Sequence, residues 1–226
     1  MPRGNAAPSP NAGFCTLEGS DEDRGFLDCI ILSHCLKRIE KSRQSGSRVQ
    51  LAVPLHFSTL GRPRAWAQYG DIFRAIPRDM LLHLVFVIFA LEGVPNSRLV
   101  RELPKLTGAR HVFCALDRHE PVGERFGSTN VHAIGIEMPE FVPNDAEMTG
   151  CIKSLALEIR AQNSEPFVFG VPSTSCVLGA MAAGARYLEG PAIHPIVADP
   201  RFAVAHGLED VYGARLRNGL IGIKRI

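Results

Sequence analysis

The chain lacks a strong net charge, and this excludes a broad class of partners. Its formal charge is +2 over 226 residues, and the basic residues are spread out rather than gathered with aromatic ones. Proteins that bind nucleic acid through its phosphates carry a basic patch or stripe. We therefore expect no nucleic-acid partner.

Long apolar runs and paired cysteines are also missing. The longest apolar run, at 80–91, is interrupted by His83 and is shorter than the roughly 20 residues that cross a bilayer. The N-terminal residues are rich in Gly, Asn, Pro and Ser, unlike a secretory signal. The six cysteines form no CxxC pair, a pattern typical of free thiols in a reducing compartment. We expect a cytoplasmic protein without membrane insertion.

Composition divides the chain into three parts. Residues 1–20 are rich in Pro, Asn, Gly and Ser with no apolar period, which predicts a disordered leader. Residues 21–195 alternate apolar and amphipathic segments and form the predicted α/β domain. Residues 196–226 are a C-terminal extension that either completes the core or docks on a partner. One helical face of this extension consists of Phe202, Leu208, Val211 and Tyr212.

Within the central part, short apolar segments alternate with helical patterns. Strands are predicted at 49–57, 84–89, 111–116, 131–136, 167–171 and 187–188. Helices are predicted at 20–40, 65–76, 96–106, 148–159 and 173–185, with Asn96 or Ser97 as the cap of the third. The apolar face of the first helix is predicted to comprise Phe26, Leu27, Ile30, Ile31, His34, Cys35 and Ile39.

The alternation of strands and helices predicts the fold class. Strands that are apolar on both faces pair in parallel under helical cover. The prediction is therefore an α/β fold in the form of an incomplete or modified β/α (TIM-like) barrel. A doubly wound open sheet is the alternative, but no Gly-rich dinucleotide turn follows any strand.

One polar segment contains the residue types that bind a divalent metal or transfer protons. Its members are Asp117, His119 and Glu120, with His132 and Glu137 further along the chain. Their spacing matches neither a helical HExxH pattern nor a closed zinc site, so a solvated loop is the favoured interpretation. A metal-dependent hydrolase that uses Asp117, His119, Glu120 and Glu137 is the alternative.

Two further positions have both a structural and a functional interpretation. Ser173 follows a strand and begins a predicted helix, where its hydroxyl caps the helix or helps to hold an anion; capping is favoured. His56 ends a strand and either points into the mouth of a barrel or is a structural histidine. No Ser/His/Asp or Cys/His spacing indicates a nucleophile.

The order of three segments resembles the EAL family of cyclic-di-GMP phosphodiesterases. Residues 53–60 (VPLHFSTL) look like the family's VNLSPRQL strand, and residues 84–90 (LVFVIFA) look like its LVLEITE strand. Residues 184–190 (GARYLEG), with Pro195, look like its GADYVQGY…P segment. The resemblance runs from Gly25 to Pro195 and implies a modified β/α barrel in a bacterial signalling protein.

The same resemblance implies that the catalytic groups are missing. The family's metal-binding asparagine and the glutamate of its second strand fall on Pro54 and Val87, and its catalytic lysine falls on Gly135. The glutamates of its AEGVE segment fall on Phe169 and Pro172. Hard cations need several oxygen ligands at once, so two-metal hydrolysis is not expected.

The family's EAL strand, which precedes the first helix, has no counterpart, and of its paired aspartates only Asp117 remains. The chain is therefore predicted to be a degenerate, N-terminally truncated EAL-like domain without catalysis, metal or cofactor. We expect it to act as a cyclic-di-GMP receptor or as a module that binds a signalling protein. The resemblance places ligand-binding groups at Glu189, Gly190 and Pro195, and Ser173 offers a further ligand-binding group at the N-terminus of a predicted helix.

Overall fold

Helices and strands alternate along the chain, as the sequence predicts. The computed structural model describes residues 21–46, 49–116, 122–123, 125–138 and 145–193. The strands are β1 Leu51–His56, β2 Leu84–Phe89, β3 His111–Leu116, β4 Ala133–Glu137, β5 Glu165–Phe169 and β6 Tyr187–Leu188. The helices are α1 Asp21–Gln44, α2 Phe57–Gly61, α3 Pro63–Arg74, α4 Arg78–Leu81, α5 Asn96–Glu102, α6 Asp145–Ala161 and α7 Thr174–Ala182, with a 3-10 turn at Leu103–Leu106. The predictions for residues 1–20 and 196–226 lie outside the described residues.

The six strands form one parallel sheet in the order β1-β2-β3-β4-β5-β6. Each strand therefore pairs with the strand that follows it, and the spatial order never reverses as it does in a doubly wound sheet. The chain crosses from the end of each strand to the start of the next, as parallel pairing requires, and a described helix lies in every such connection except that between β3 and β4. The sheet forms a half-barrel, which confirms the predicted incomplete TIM-like barrel.

The convex face of the half-barrel carries the main core. Alternate residues of the strands, such as Val53, Leu55 and Ile88, point toward the helices and are completely buried. A second cluster forms where α6 and α7 cover β5, with Ile152 and Val177 among its buried members. Because successive side chains of a strand point to opposite faces, the remaining residues face the concave side.

The concave face has its own apolar cluster, which occupies the lumen of the half-barrel. Its buried members come from the strands β2 to β5 and are Val87, Phe113, Ala115, Ala133, Phe167 and Phe169. Burial on both faces explains why these strands read as continuous apolar runs in the sequence.

The outer edge of β1 is poorly equipped to pair with another strand. The Leu51 N–H donates to the His83 carbonyl oxygen on the β2 side, so Ala52, Pro54 and His56 direct their backbone groups outward. Pro54 has no N–H to donate, and the His56 N–H donates to a carboxylate oxygen of Asp28 at 3.2 Å. Only the Ala52 N–H is left on this edge. Proline within a strand is typical of sheet edges.

The face that α1 buries differs from the predicted one. Phe26 is 63% exposed and Ile30 is 38% exposed, whereas Asp28 and Leu32 are buried. Ile39 is buried as predicted, so the prediction is wrong mainly near the start of the helix. The error arises because apolar residues surround α1 almost continuously near residues 26–31, and the one acidic residue among them, Asp28, is on the buried side.

The third predicted helix also needs a correction. Neither Asn96 nor Ser97 caps it, because Pro95 occupies the N-cap position and no side chain supplies a capping hydrogen bond. The helix ends at Glu102 and continues only as a 3-10 turn. Pro104 explains this ending, since proline disfavours α-helical geometry in the residue before it.

Apolar segments of the described chain do not resemble membrane spans. None of the described helices combines the length and hydropathy that crossing a bilayer requires.

Candidate functional site

A groove runs along the concave face of the half-barrel, and its volume is about 550 Å³. We call it the lumen groove. Most of its lining residues come from the inner faces of the strands, and two carboxylates lie at the carboxyl end of the sheet. The lining residues are Gln50, Ala52, Pro54, Val85, Val87, Phe89, His111, Phe113, Glu137, Phe167, Phe169, Tyr187, Leu188 and Glu189.

Aromatic rings form one wall of the lumen groove. The Phe113 ring lies 5.3 Å from the Phe167 ring and 4.8 Å from the Tyr187 ring, centroid to centroid. Phe167 and Phe169 are stacked at 5.4 Å, and Phe89 meets Phe169 edge-on at 6.0 Å. These separations are those of favourable aromatic pairs, so the wall is a connected ring cluster.

Gly135 lies beneath this wall and is sterically required. A Cβ atom at this position would lie 2.5 Å from the Phe167 carbonyl oxygen and would also collide with the Phe167 ring. The backbone of β5 and the ring of Phe167 thus occupy the space that any side chain at 135 would need. The position that the EAL resemblance assigns to a catalytic lysine therefore has no room for one.

Two carboxylates, Glu137 and Glu189, share the lumen groove at the carboxyl ends of β4 and β6. Glu189 is an exposed residue, and partial desolvation of its carboxyl by the neighbouring protein raises the pKa of that carboxyl above its ordinary value. Glu137 also lines a smaller cavity of about 240 Å³ beside the groove, together with His56 and Glu92. The carboxylates of Glu92, Glu137 and Glu189 therefore line the two cavities at the carboxyl end of the half-barrel.

His132 lies at the opposite end of β4 from Glu137. Its Nε2 atom is 2.9 Å from the Tyr187 hydroxyl, and its ring stacks on Phe113. The predicted grouping of His132 with Glu137 is therefore wrong, because the first four residues of β4 lie between them along an extended strand. Asp117, His119 and Glu120, the other members of that grouping, lie outside the described residues.

His111 is the second histidine at this amino end. Its ring centroid is 4.5 Å from that of His132, and its Nδ1 atom is buried with no hydrogen-bond partner among the described residues. Burial, and secondarily the neighbouring His132, lower the pKa of His111. The pair lies away from the carboxyl end, where the active sites of β/α barrels are found.

Ser173 acts as the cap of α7. Its side-chain oxygen accepts a hydrogen bond from the Cys176 N–H at 3.2 Å and lies 2.9 Å from the Ser175 hydroxyl. The favoured structural interpretation is thus confirmed at the level of geometry.

Gly190 is required by the backbone around it. A Cβ atom there would lie 2.7 Å from the Val171 carbonyl oxygen, and its φ of +148° is unfavourable for other residues. Val171 N–H donates to the Glu189 carbonyl oxygen at 2.9 Å, which fixes the segment after β6 against the end of β5. Glu189 is thereby held at the groove. Pro195 lies outside the described residues.

His56, which the sequence singled out, forms a cluster with Asp28, which it did not. His56 caps α2 by accepting a hydrogen bond from the Ser58 N–H at its Nδ1 atom. Asp28 is buried and accepts a 2.6 Å hydrogen bond from the Thr59 hydroxyl. Burial, which outweighs these hydrogen bonds, raises the pKa of Asp28 to about 6. One feature of the sequence could have indicated this site. Asp28 lies on the same face of the helix as the apolar residues Leu32 and Ile39, where a carboxylate is unusual.

The metal positions of the EAL resemblance do not fit a divalent cation in the described part of the chain. Pro54, Val87 and Phe169 offer no side-chain oxygen, and the described residues contain no group of three His, Cys, Asp or Glu side chains arranged to hold a metal. Hard divalent cations require several oxygen ligands. Asp117 lies outside the described residues.

Among the comparisons with known proteins, only solved structures match the chain, and they support its fold. No protein-family model and no curated protein matches the chain. The PaMucR phosphodiesterase, solved as a c-di-GMP complex, has a TM-score of 0.55 at 14% identity, over 75% of this chain and 77% of that chain. The FimX EAL domain has a TM-score of 0.53 at 20% identity, over 85% and 78%. The Xanthomonas citri FimX EAL domain, solved with c-diGMP, has a TM-score of 0.56 at 13% identity, over 90% and 81%.

These likenesses define the class of fold. The chain has an EAL-like fold in the form of a six-stranded parallel half-barrel, which confirms the resemblance seen in its sequence.

Proposed function

We propose that the chain is a non-catalytic EAL-like signalling domain that binds cyclic-di-GMP at the carboxyl end of its half-barrel. The observation that carries the proposal is the apolar character of the strand ends. Val87 and Phe169 are buried in the aromatic cluster of the lumen. A charged side chain introduced at either position would lose its hydration without gaining a partner, so these positions favour apolar residues.

The packing around Gly135 supports the absence of catalysis independently. Because Phe167 fills the space over Gly135, a lysine cannot be placed there without displacing β5. Several neighbouring positions are thus adapted to one another, and a single substitution would not recreate a hydrolytic site.

Ligand binding is supported by the groups that remain at the carboxyl end. Glu189 presents a carboxylate that can accept hydrogen bonds from the N–H groups of a guanine edge. Gly190 brings backbone close to the same place, and the N-terminus of α7 at Ser173 favours a phosphate. The solved neighbours PaMucR and Xanthomonas citri FimX carry this dinucleotide in their complexes.

The test combines titration calorimetry with a hydrolysis assay on the full chain. We expect saturable heat with cyclic-di-GMP, weakened severalfold by Glu189→Gln, and no hydrolysis with manganese or magnesium. Asp71→Asn, which removes an exposed carboxylate on α3, is the matched control and should leave binding unchanged.

Two outcomes would overturn parts of the proposal. Absence of heat at high micromolar ligand would leave a protein-interaction module as the function. Metal-dependent hydrolysis that Asp117→Asn or Glu137→Gln abolishes would overturn the absence of catalysis and favour the alternative hydrolase, whose other residues are His119 and Glu120.

A further inference from the structure

The lumen groove has a lateral opening beside β1. Ala52 is exposed, and Pro54, Val85 and Phe89 are half-buried, whereas Phe113 and Phe169 on the far wall are buried. No described strand pairs with the outer edge of β1. Small side chains on β1 therefore face large rings across the groove, and the space between them is reached from the β1 side.

The polar groups that line the lumen groove lie at its two ends. Gln50 and His111 lie at the amino end of the sheet, and Glu137 and Glu189 lie at the carboxyl end. The intervening lining is hydrocarbon and aromatic. None of the described residues that line the groove is a lysine or an arginine.

This arrangement discriminates between ligands by charge. Aromatic ring faces carry negative charge density and attract cations, and the attraction grows when water is excluded. The Glu189 carboxylate at one end adds to this attraction, whereas an anion whose charge lay inside the groove would meet the rings and this carboxylate instead of the N-terminus of α7. A groove of this volume also lies within the range of small-molecule sites, which are largely apolar with a few placed polar groups.

We propose that the lumen groove is a binding site for an apolar organic cation whose hydrocarbon or aryl body lies along β2 and β3 and whose charge lies near Glu189. Glu189 belongs to this site and also to the proposed recognition of cyclic-di-GMP. The cation site is therefore tested with probes other than the dinucleotide, so that the failure of either proposal is seen separately.

Two probe ions of nearly the same size and shape test the charge preference directly. Tetraphenylphosphonium is a cation and tetraphenylborate is an anion, and each carries four aryl rings. In calorimetric titrations of the full chain at pH 8, we expect saturable single-site binding of the phosphonium. The borate should bind at least about tenfold more weakly. Equal or tighter binding of the borate would overturn the proposal, as would no binding of the phosphonium.

A blocking variant locates the site. Ala52→Trp places an indole in the lateral opening from an exposed position, so it should weaken phosphonium binding at least about tenfold. Leu157→Trp on α6, where the side chain is 61% exposed, adds the same ring elsewhere and should leave binding unchanged. Circular dichroism and the unfolding midpoint establish that both variants are folded. Unchanged binding to a folded Ala52→Trp variant would refute the location.

A charge variant tests the role of the carboxylate. Glu189→Gln keeps the shape of the side chain and should reduce the preference for phosphonium over borate about threefold. Asp71→Asn removes one exposed negative charge on α3 and should leave the preference unchanged. An equal loss in both variants would mean that net charge, rather than the groove, selects the cation.

Discussion

The two sides of the lumen differ although they belong to one sheet. On the closed side, at β3 to β6, large rings fill the space, and Gly135 makes room for Phe167. On the open side, at β1 and the amino end of β2, the lining residues Ala52, Pro54 and Val85 are smaller and leave a groove. The lumen of this half-barrel is therefore filled where neighbouring strands both bring large side chains to it, and it stays open where they do not.

The closed side should be the less tolerant of added volume, and Gly135→Ala tests this with the largest expected effect. The new methyl group would collide with the backbone and ring of Phe167, so we expect a loss of about 3 kcal/mol in the free energy of unfolding. Urea denaturation measures it.

Gly150→Ala is the matched control because the same atom is added where nothing lies within 4 Å. Gly150 is exposed within α6, so alanine should stabilise the helix by up to about 1 kcal/mol. Similar effects of both substitutions would mean that the closed side is not tightly packed.

The sequence predicted the strands well because parallel strands buried on both faces produce continuous apolar runs. The runs LVFVIF and HVFCAL became β2 and β3 with the predicted bounds. Helix existence was equally predictable from the 3.6-residue period, but the buried phase of α1 was not, because apolar residues near its start lie on more than one face.

The site was less predictable because its contacts depend on register between distant segments. Asp28 meets Thr59 across 31 residues, and His132 meets Tyr187 across 55. No local pattern encodes these pairs. Glu189 was proposed from a resemblance alone, and only the folded sheet brings it to the same groove as Glu137.

On the open side, Asp28 should make stability depend on pH. Its pKa is about 6 in the folded chain against an ordinary 3.8, so folding favours the protonated form. This contribution is complete below about pH 4 and is lost as the pH rises through 6, and it amounts to about 3 kcal/mol as an upper estimate. Asp28→Asn should flatten this pH dependence and raise stability at pH 8, because an amide oxygen can still accept both hydrogen bonds.

Denaturation at pH 4.5 and pH 8 measures the difference. Asp71→Asn, the exposed control on α3, should retain the wild-type pH dependence. A variant Asp28→Asn that is less stable than the wild type at pH 8 would show that the ionised carboxylate, rather than its burial, stabilises the edge of β1.

The smallest expected effect concerns the Tyr187 hydroxyl, which joins β6 to His132 at the start of β4. Tyr187→Phe removes the 2.9 Å contact with His132 but keeps the ring on Phe113, so a loss of about 1 kcal/mol in unfolding free energy is expected. Tyr69→Phe is the matched control, because the Tyr69 hydroxyl is buried without a hydrogen-bond partner among the described residues. Its removal should be neutral or stabilising. If both substitutions cost the same, the His132 contact contributes nothing specific, and ring packing alone holds β6 in place.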